Sequence, residues 1–345
     1  MIHQTSVYRA AILLLTLLPL SVGAQEVISW RDPSPHRVRF AAVDEGVRLE
    51  VLEWPGSGRA IVLLAGSGNS AHVFDEFAPK LAGRWHVYAI TRRGYGASSQ
   101  PPSGYDDQRL ADDVVQVLDS LGITAPVLAG HSMAGGELTT IGHEHPNRIS
   151  GLVYLDALGD PRDWPASDPE YMALFRKLPP SPQAPVPPES AEEGKSFSGS
   201  RAAELRTRGF AFPESELRNV YETNPDGTKG AYKTPPAINK MIGDGQKRRD
   251  YSGIHVPVLA FFEFVRPLQA PAIAKRSEAG ETEGLAAKNA FDAATAAFID
   301  RWIINLLRGA GDVHLIDLPG AGHYVFLTRE AEVLRELDKF MAALP

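Results

Sequence analysis

The chain contains no cysteine among its 345 residues. This absence excludes a disulfide framework, a thiolate nucleophile, an iron–sulfur cluster and a zinc site with cysteine ligands. A positive charge excess is also missing, because 35 Lys and Arg residues stand against 42 Asp and Glu residues, giving a net charge of −7. We therefore expect no nucleic-acid partner and no binding to an anionic membrane surface. With 43% hydrophobic and 22% charged residues, the composition is typical of a globular protein.

The longest apolar run lies near the N terminus. Arg9 is the only charged residue among the first 24, and it precedes the apolar residues 10–20. That run is too short to cross a bilayer comfortably as a helix, and the small residues at 22–24 fit a signal-peptide cleavage site. We therefore expect a signal peptide over residues 1–24, cleavage after Ala24, and a periplasmic or secreted product without an integral membrane segment.

Short apolar runs alternate with helical patterns along most of the remaining chain. The predicted strands cover residues 38–43, 47–52, 60–65, 85–91, 125–129, 149–156, 256–261 and 313–318, and the predicted helices cover 71–81, 108–121, 133–145, 283–308 and a last stretch from Arg329. The first two strands alternate apolar and polar residues, which is typical of an antiparallel hairpin. The continuous apolar strands that follow indicate an α/β fold with a mostly parallel sheet covered by helices on both faces.

This alternation stops between residues 158 and 250, where no convincing buried strand occurs. The region includes the proline-rich, weakly hydrophobic residues 178–200, which we expect to be mobile. Because the α/β pattern resumes afterwards, the sequence predicts a cap inserted after the sixth strand. The predicted core then comprises residues 25–157 and 251–345.

The stretch GHSMAG at residues 130–135 places a serine between a predicted strand and a predicted helix. A serine on such a tight turn needs small neighbours two positions away, here Gly130 and Ala134, because the strained backbone leaves no room for larger side chains. The turn lifts the serine oxygen to the carboxyl edge of the sheet, where the next helix also points its N terminus. We predict that Ser132 is a nucleophile, although the six letters alone also fit an ordinary small-residue turn.

A serine nucleophile needs a base, and His323 lies in the glycine-rich stretch GAGHY that follows the last predicted strand. Glycines allow the chain to fold a histidine back over the sheet edge. The late position of His323 also fits the order serine, acid, histidine.

Four stretches together resemble the α/β-hydrolase fold, in particular capped serine hydrolases of the esterase-like type: LLAGSGNS, RRGYGASS, GHSMAG and LPGAGHYVF. The resemblance covers residues of about 38–156 and 253–343. It implies hydrolysis of a carboxylic ester or related acyl bond of a small molecule through a Ser-His-Asp triad and an acyl-enzyme. It implies no metal and no organic cofactor.

The loop after the third strand departs from the family, which usually has His-Gly where this chain has Ala65-Gly66. An oxyanion hole uses backbone N–H groups, so the resemblance still implies Met133 and Ser67 as its donors. The missing histidine normally braces this loop.

The acid of the triad is a second departure. Many relatives place an Asp after the seventh strand, where this chain reads FFEFVR with Glu263 and no Asp. Some members carry the acid after the sixth strand, and Asp156 ends that strand here. We therefore predict Asp156, with Glu263 as the alternative and Asp160 or another carboxylate still open.

Two other functions remain open from the sequence. One is a non-catalytic ligand-binding protein on the same scaffold, because a fold does not determine a function. The other is an NADP-dependent oxidoreductase, since Gly66, Gly68 and Ala71 match a dinucleotide fingerprint by letter, and Arg92 and Arg93 are placed to hold a 2′-phosphate.

Overall fold

An eight-stranded sheet forms the centre of the protein in the computed structural model, which describes residues 30–163, 165–178, 187–263 and 282–345. The strands are β1 (Arg37–Asp44), β2 (Val47–Trp54), β3 (Ala60–Leu64), β4 (His86–Ile90), β5 (Val127–His131), β6 (Gly151–Leu155), β7 (Tyr221–Thr223), β8 (Lys229–Tyr232), β9 (Val258–Phe262) and β10 (Val313–Asp317). The helices are α1 (Asp107–Leu121), α2 (Gly135–Glu144), α3 (Pro169–Phe175), α4 (Phe197–Arg208), α5 (Glu214–Val220), α6 (Pro236–Gly245), α7 (Thr282–Gly309), α8 (Val325–Thr328) and α9 (Glu330–Ala343).

The strand order in the main sheet is β1-β2-β4-β3-β5-β6-β9-β10. β2 pairs antiparallel with both β1 and β4, whereas the other neighbours are parallel. The predicted α/β fold with a mostly parallel sheet is therefore confirmed. Since parallel strands present their carboxyl ends at one edge, the residues after β5, β6 and β10 meet there.

Two large apolar clusters cover the two faces of the sheet. On β3, Ile61 and Leu63 belong to one cluster, while Val62 and Leu64 belong to the other, and all four are buried. Helix α9 packs in the first cluster and α1 in the second. Burial on both faces explains why the central strands are apolar without alternation.

One predicted helix differs from the structure. The helix predicted over residues 71–81 is instead two short 3₁₀ turns, Ala71–Phe74 and Ala78–Lys80. Pro79 has no N–H to donate to the carbonyl four residues earlier, and its ring would clash with that carbonyl, so a continuous helix does not form. The last helix, predicted from Arg329, is confirmed as α9, which Arg329 precedes directly, and the short helix α8 before it is an element that the sequence pattern does not indicate.

Residues 158–250, which we call the insertion, lie between β6 and β9, two strands that are neighbours in the sheet. The insertion carries α3 to α6 and a separate antiparallel pair of strands, β7 and β8. Within the predicted mobile stretch 178–200, the described residues include a helical turn at Glu193–Lys195 and the first turn of α4, which Ser196 caps by accepting from the Gly199 N–H.

The predicted signal peptide over residues 1–24 lies outside the described residues. Among the helices of the described residues, none combines the length and the apolar character needed to cross a membrane.

Candidate active site

Ser132 lies on a strained turn between β5 and α2. Its φ of +55° is in the left-handed region, which costs a non-glycine residue on the order of 1–3 kcal/mol. The turn also depends on Gly130, because a Cβ there would lie 2.9 Å from the Cβ of Ala134. The two small residues on either side of Ser132 therefore pack closely and leave no space for a larger side chain at Gly130, as the sequence pattern predicts.

His323 reaches Ser132 from the loop that follows β10. Its Nε2 lies 2.8 Å from Ser132 Oγ, and its side chain is 49% exposed. Gly320 and Gly322 have φ values of +70° and +72°, a conformation that favours glycine. These two glycines turn the chain back over the sheet edge.

Asp156 is the carboxylate beside His323. Its Oδ2 lies 2.6 Å from His323 Nδ1, and its side chain is 21% exposed. Like Ser132 it has a positive φ, +50°. The Glu263 N–H donates to Asp156 Oδ1 at 3.2 Å, so Glu263 contributes its backbone to the acid's position. The third candidate, Asp160, accepts from the Arg162 N–H instead.

The three side chains open onto a cleft of about 390 Å³. Ser67 and Met133, the two predicted oxyanion donors, also line it. The structure thus brings together the five residues singled out in the sequence.

A buried arginine holds the loop that carries Ser67, where the family usually has a histidine and this chain has Ala65. Arg92, buried after β4, donates from Nη2 to the Ala65 carbonyl at 3.0 Å. The guanidinium is fixed by two hydrogen bonds to Glu137, at 2.5 and 2.7 Å. Arg92 therefore holds this loop against α2, and the double arginine after the fourth strand is the sequence feature that could have indicated it.

A sequence model described as the alpha/beta hydrolase family matches residues 61–336. The chain belongs to the alpha/beta hydrolase family. Among curated relatives, the chain is similar to the putative carbamate hydrolase RutD of Caulobacter segnis, with 34% identity over 134 residues, or 38% of this chain and 48% of the relative. It is also similar to 2-(acetamidomethylene)succinate hydrolase of Mesorhizobium japonicum, with 30% identity over 115 residues, or 33% of this chain and 41% of the relative. The chain thus spans about half the length of the curated relatives it matches.

Solved structures share the fold over nearly the whole chain. E-2-(acetamidomethylene)succinate hydrolase superposes with a TM-score of 0.59 at 19% identity, covering 89% of this chain and 100% of that one. The thioesterase domain from the curacin biosynthetic pathway gives a TM-score of 0.58 at 15% identity, covering 89% and 99%.

His131 is a site residue that sequence reasoning missed. Its Nε2–H donates to the backbone carbonyl of His323 at 2.9 Å, and its ring lies 4.6 Å from the rings of both His323 and Tyr324. Burial, with the nearby imidazole of His323 as a smaller cause, lowers the pKa of His131 to about 3. His131 is therefore neutral and holds the histidine loop in place.

Glu216 connects the insertion to the site, and no local sequence pattern indicates it. This fully buried side chain of α5 accepts hydrogen bonds from Asn69 Nδ2 at 2.9 Å and from the Ser70 N–H at 3.0 Å. Asn69 Oδ1 in turn accepts from the Tyr324 hydroxyl at 3.0 Å. Burial raises the pKa of Glu216 to about 7, against these hydrogen bonds, which lower it. One carboxyl thereby links α5 to the loop after β3 and to the residue following His323.

The arrangement does not favour the dinucleotide alternative. Gly66 and Gly68 precede a four-residue 3₁₀ turn that begins at Ala71, instead of the helix whose N terminus would bind a pyrophosphate. Arg92 is paired with Glu137, and Arg93 makes two hydrogen bonds to Asp113 at 2.5 and 2.6 Å. Neither guanidinium is placed to receive a 2′-phosphate.

Proposed function

We propose that this hydrolase cleaves a carboxylic ester or a related acyl bond through an acyl-enzyme formed on Ser132. The observation that carries the proposal is the continuous chain of contacts from Ser132 Oγ to His323 Nε2, at 2.8 Å, and from His323 Nδ1 to Asp156, at 2.6 Å. A nucleophile, a base and an orienting carboxylate in this order are the requirements for activating a serine. The carbamate hydrolase named among the relatives also acts on an acyl group, which supports this reaction class.

In the first half-reaction, His323 Nε2 takes the proton of Ser132 Oγ while the oxygen attacks the substrate carbonyl. His323 Nδ1–H donates to Asp156 Oδ2, which fixes the tautomer that leaves Nε2 free to accept. The carboxylate then stabilises the imidazolium. Donation of that proton to the alkoxide leaving group breaks the ester bond and leaves the acyl group on Ser132.

In the second half-reaction, water replaces the serine as the attacking group. His323 accepts a proton from the water and returns it to Ser132 Oγ as the acid product leaves. In both steps, negative charge develops on the former carbonyl oxygen. We assign its stabilisation to the backbone N–H groups of Met133 and Ser67, which line the same cleft as Ser132.

We further propose that the insertion acts as a cap over this cleft. Six residues of the insertion line it: Gly159, Pro161, Ser167, Gly243, Gln246 and Arg249. Such a cap shapes the acyl pocket and restricts water around the reacting carbonyl.

Hydrolysis of p-nitrophenyl esters of graded acyl length tests the reaction and defines the pocket. We expect turnover by the wild type and its loss in Ser132→Ala, by about 10⁴-fold or more in kcat. Ser198→Ala, an exposed serine on α4, is the matched control and should keep full activity. A folded protein that hydrolyses none of these esters would favour the non-catalytic ligand-binding alternative.

We also propose that the protein is exported, from the charge and apolar pattern of residues 1–24. Intact-mass analysis of protein from the native host should find Gln25 at the N terminus. A cytoplasmic product retaining Met1 would contradict this proposal.

A further inference from the structure

Three arginine side chains of the described residues are buried to a similar degree but are neutralised differently. Arg92, Arg93 and Arg249 keep 6%, 2% and 4% of their side chains exposed. Arg92 and Arg93 each make a two-pronged contact to a carboxylate, at distances of 2.5 to 2.7 Å. Such bidentate pairing is what normally stabilises a guanidinium away from water.

Arg249 has no such partner among the described residues. The carboxylate oxygen it approaches, Asp107 Oδ2, lies 3.9 Å from Nη1, beyond hydrogen-bonding distance. Nη1 itself has no hydrogen-bond partner, while Nε donates to the Gly159 carbonyl at 3.3 Å. Asp107 Oδ2 is already engaged by the Lys247 N–H at 2.8 Å. The guanidinium therefore retains unused donor capacity.

The fold leaves space for the Arg249 side chain beside helix α2. A Cβ on Gly136, in the first turn of α2, would lie 2.3 Å from Nη1, so only glycine allows the guanidinium to lie against this helix. Arg249 also lines the cleft that contains Ser132 and His323. Among the described residues lining that cleft, it is the one with a permanent positive charge.

We propose that Arg249 binds a carboxylate of the substrate, so that this hydrolase acts on acyl compounds bearing a free carboxylate away from the bond that is cleaved. The inference rests on the proposed acyl hydrolysis at Ser132. A carboxylate has the geometry that a guanidinium recognises with two parallel hydrogen bonds. A substrate carboxylate would pair with the Arg249 guanidinium as the Glu137 carboxylate pairs with Arg92. Monoesters and monoamides of short dicarboxylic acids are the corresponding substrate class.

The test compares two methyl esters of nearly identical shape and different charge. Monomethyl glutarate carries a carboxylate where methyl glutaramate carries a neutral amide, and the succinate pair repeats the comparison with a shorter spacer. For the wild type we expect kcat/KM to be about 10- to 100-fold higher for the charged ester of the better-fitting pair, mainly through a lower KM. In Arg249→Gln this preference should vanish, mainly because kcat/KM for the charged ester falls, and Arg249→Lys should restore part of the preference.

Arg248→Gln is the matched control. This neighbouring residue carries the same charge, but its side chain is 74% exposed and it is absent from the lining of the catalytic cleft. Its removal changes the net charge of the protein by the same amount and should leave the preference intact. A preference lost equally in Arg248→Gln and Arg249→Gln would reveal general attraction of anions and overturn the inference.

The remaining outcomes separate this inference from the proposed function. Equal or faster cleavage of the neutral esters by the wild type overturns the carboxylate site and leaves ester hydrolysis intact. If neither methyl ester is cleaved, calorimetric titration with glutarate decides the site by itself, and hydrolysis of the p-nitrophenyl esters decides the proposed function. Glutarate binding by the wild type and by Arg248→Gln, but not by Arg249→Gln, supports the carboxylate site at Arg249. Absence of glutarate binding by the wild type overturns it. If Arg249→Gln does not fold, Arg249→Lys and the wild-type ester comparison decide.

Discussion

The carboxyl edge of the sheet and the insertion both supply residues to the cleft, but they fix those residues by different means. At the sheet edge, Ser132 and Asp156 each lie one residue beyond a strand, on a backbone with positive φ. Their positions are thus set by the covalent chain. In the insertion, Arg249 lines the cleft and donates to the Gly159 carbonyl, 90 positions away, while Glu216 lies outside the cleft lining and accepts from Asn69, 147 positions away. We infer that the reacting groups belong to the rigid sheet edge, and that loop positioning and substrate choice belong to the insertion.

Asp156→Asn should give the largest effect. The amide preserves the shape of the side chain but no longer favours the His323 tautomer whose Nε2 accepts the Ser132 proton. We expect kcat to fall by up to about 10⁴-fold with the fold intact. Steady-state kinetics together with circular dichroism measure both quantities. A loss below about ten-fold would mean that another carboxylate orients His323.

His131→Phe should have the next largest effect. Phenylalanine keeps the aromatic packing against Tyr324 and Phe326 but removes the hydrogen bond to the His323 carbonyl. A net contribution of about 1 kcal/mol for such a bond corresponds to a fall in kcat of about 5- to 10-fold. An unchanged kcat in a folded variant would show that the histidine loop is held without this contact.

Glu216→Gln tests the insertion, and its main effect should be on the pH dependence of stability. Because the pKa of Glu216 is raised to about 7 in the folded protein, above its ordinary 4.5, the folded state binds this proton more tightly than the unfolded chain. The stability linked to that proton is fully present below about pH 4.5 and is lost as the pH rises through about 7. The difference is on the order of 3 kcal/mol.

Urea unfolding of the wild type and of Glu216→Gln at about pH 5 and pH 8 measures this effect. On going to the higher pH, the wild type should lose more free energy of unfolding than the variant, which has no ionisable group at this position. Parallel changes in the two proteins would contradict the raised pKa. The variant's kcat should fall far less than that of Asp156→Asn.

Glu263→Gln should have the smallest effect and is the matched control for Asp156→Asn. Glu263 contacts Asp156 through its backbone N–H, which the substitution leaves in place. We expect kcat to change by less than about two-fold. A large loss of activity here would assign the side chain of Glu263 a role that the geometry gives to Asp156.

The same division between sheet edge and insertion explains what the sequence could predict. The central strands are continuous apolar runs because both faces of the sheet are buried, so the fold class could be predicted from the sequence. Ser132 and His323 could be predicted because the strained turn at Ser132 and the chain reversal at His323 require small residues at fixed positions. Asp156 was a choice among carboxylates, since each of them ended or followed a strand and only the folded sheet shows which one meets the imidazole.

The remaining contacts join residues that no local pattern connects. Glu216 contacts Asn69 across 147 positions, and His131 contacts His323 across 192. Arg249 lies in a short polar stretch whose letters resemble any exposed loop, and its burial follows from packing against Gly136. The helix expected over residues 71–81 was overestimated for a local reason, because the effect of Pro79 outweighed the apolar pattern around it.

Detection of an acyl group on Ser132 is the most direct test that this serine is the nucleophile. The hydrolase is mixed rapidly with a p-nitrophenyl ester, quenched in acid within the first turnovers and analysed by intact mass and peptide mapping. For the wild type we predict a burst of p-nitrophenol and an acyl group on the peptide that contains Ser132. In Asp156→Asn the acylated fraction should increase if deacylation is slowed more than acylation. In Ser132→Ala both the burst and the acylated peptide should be absent. Turnover without any acylated peptide in the wild type, or an acyl group on a different residue, would contradict the account.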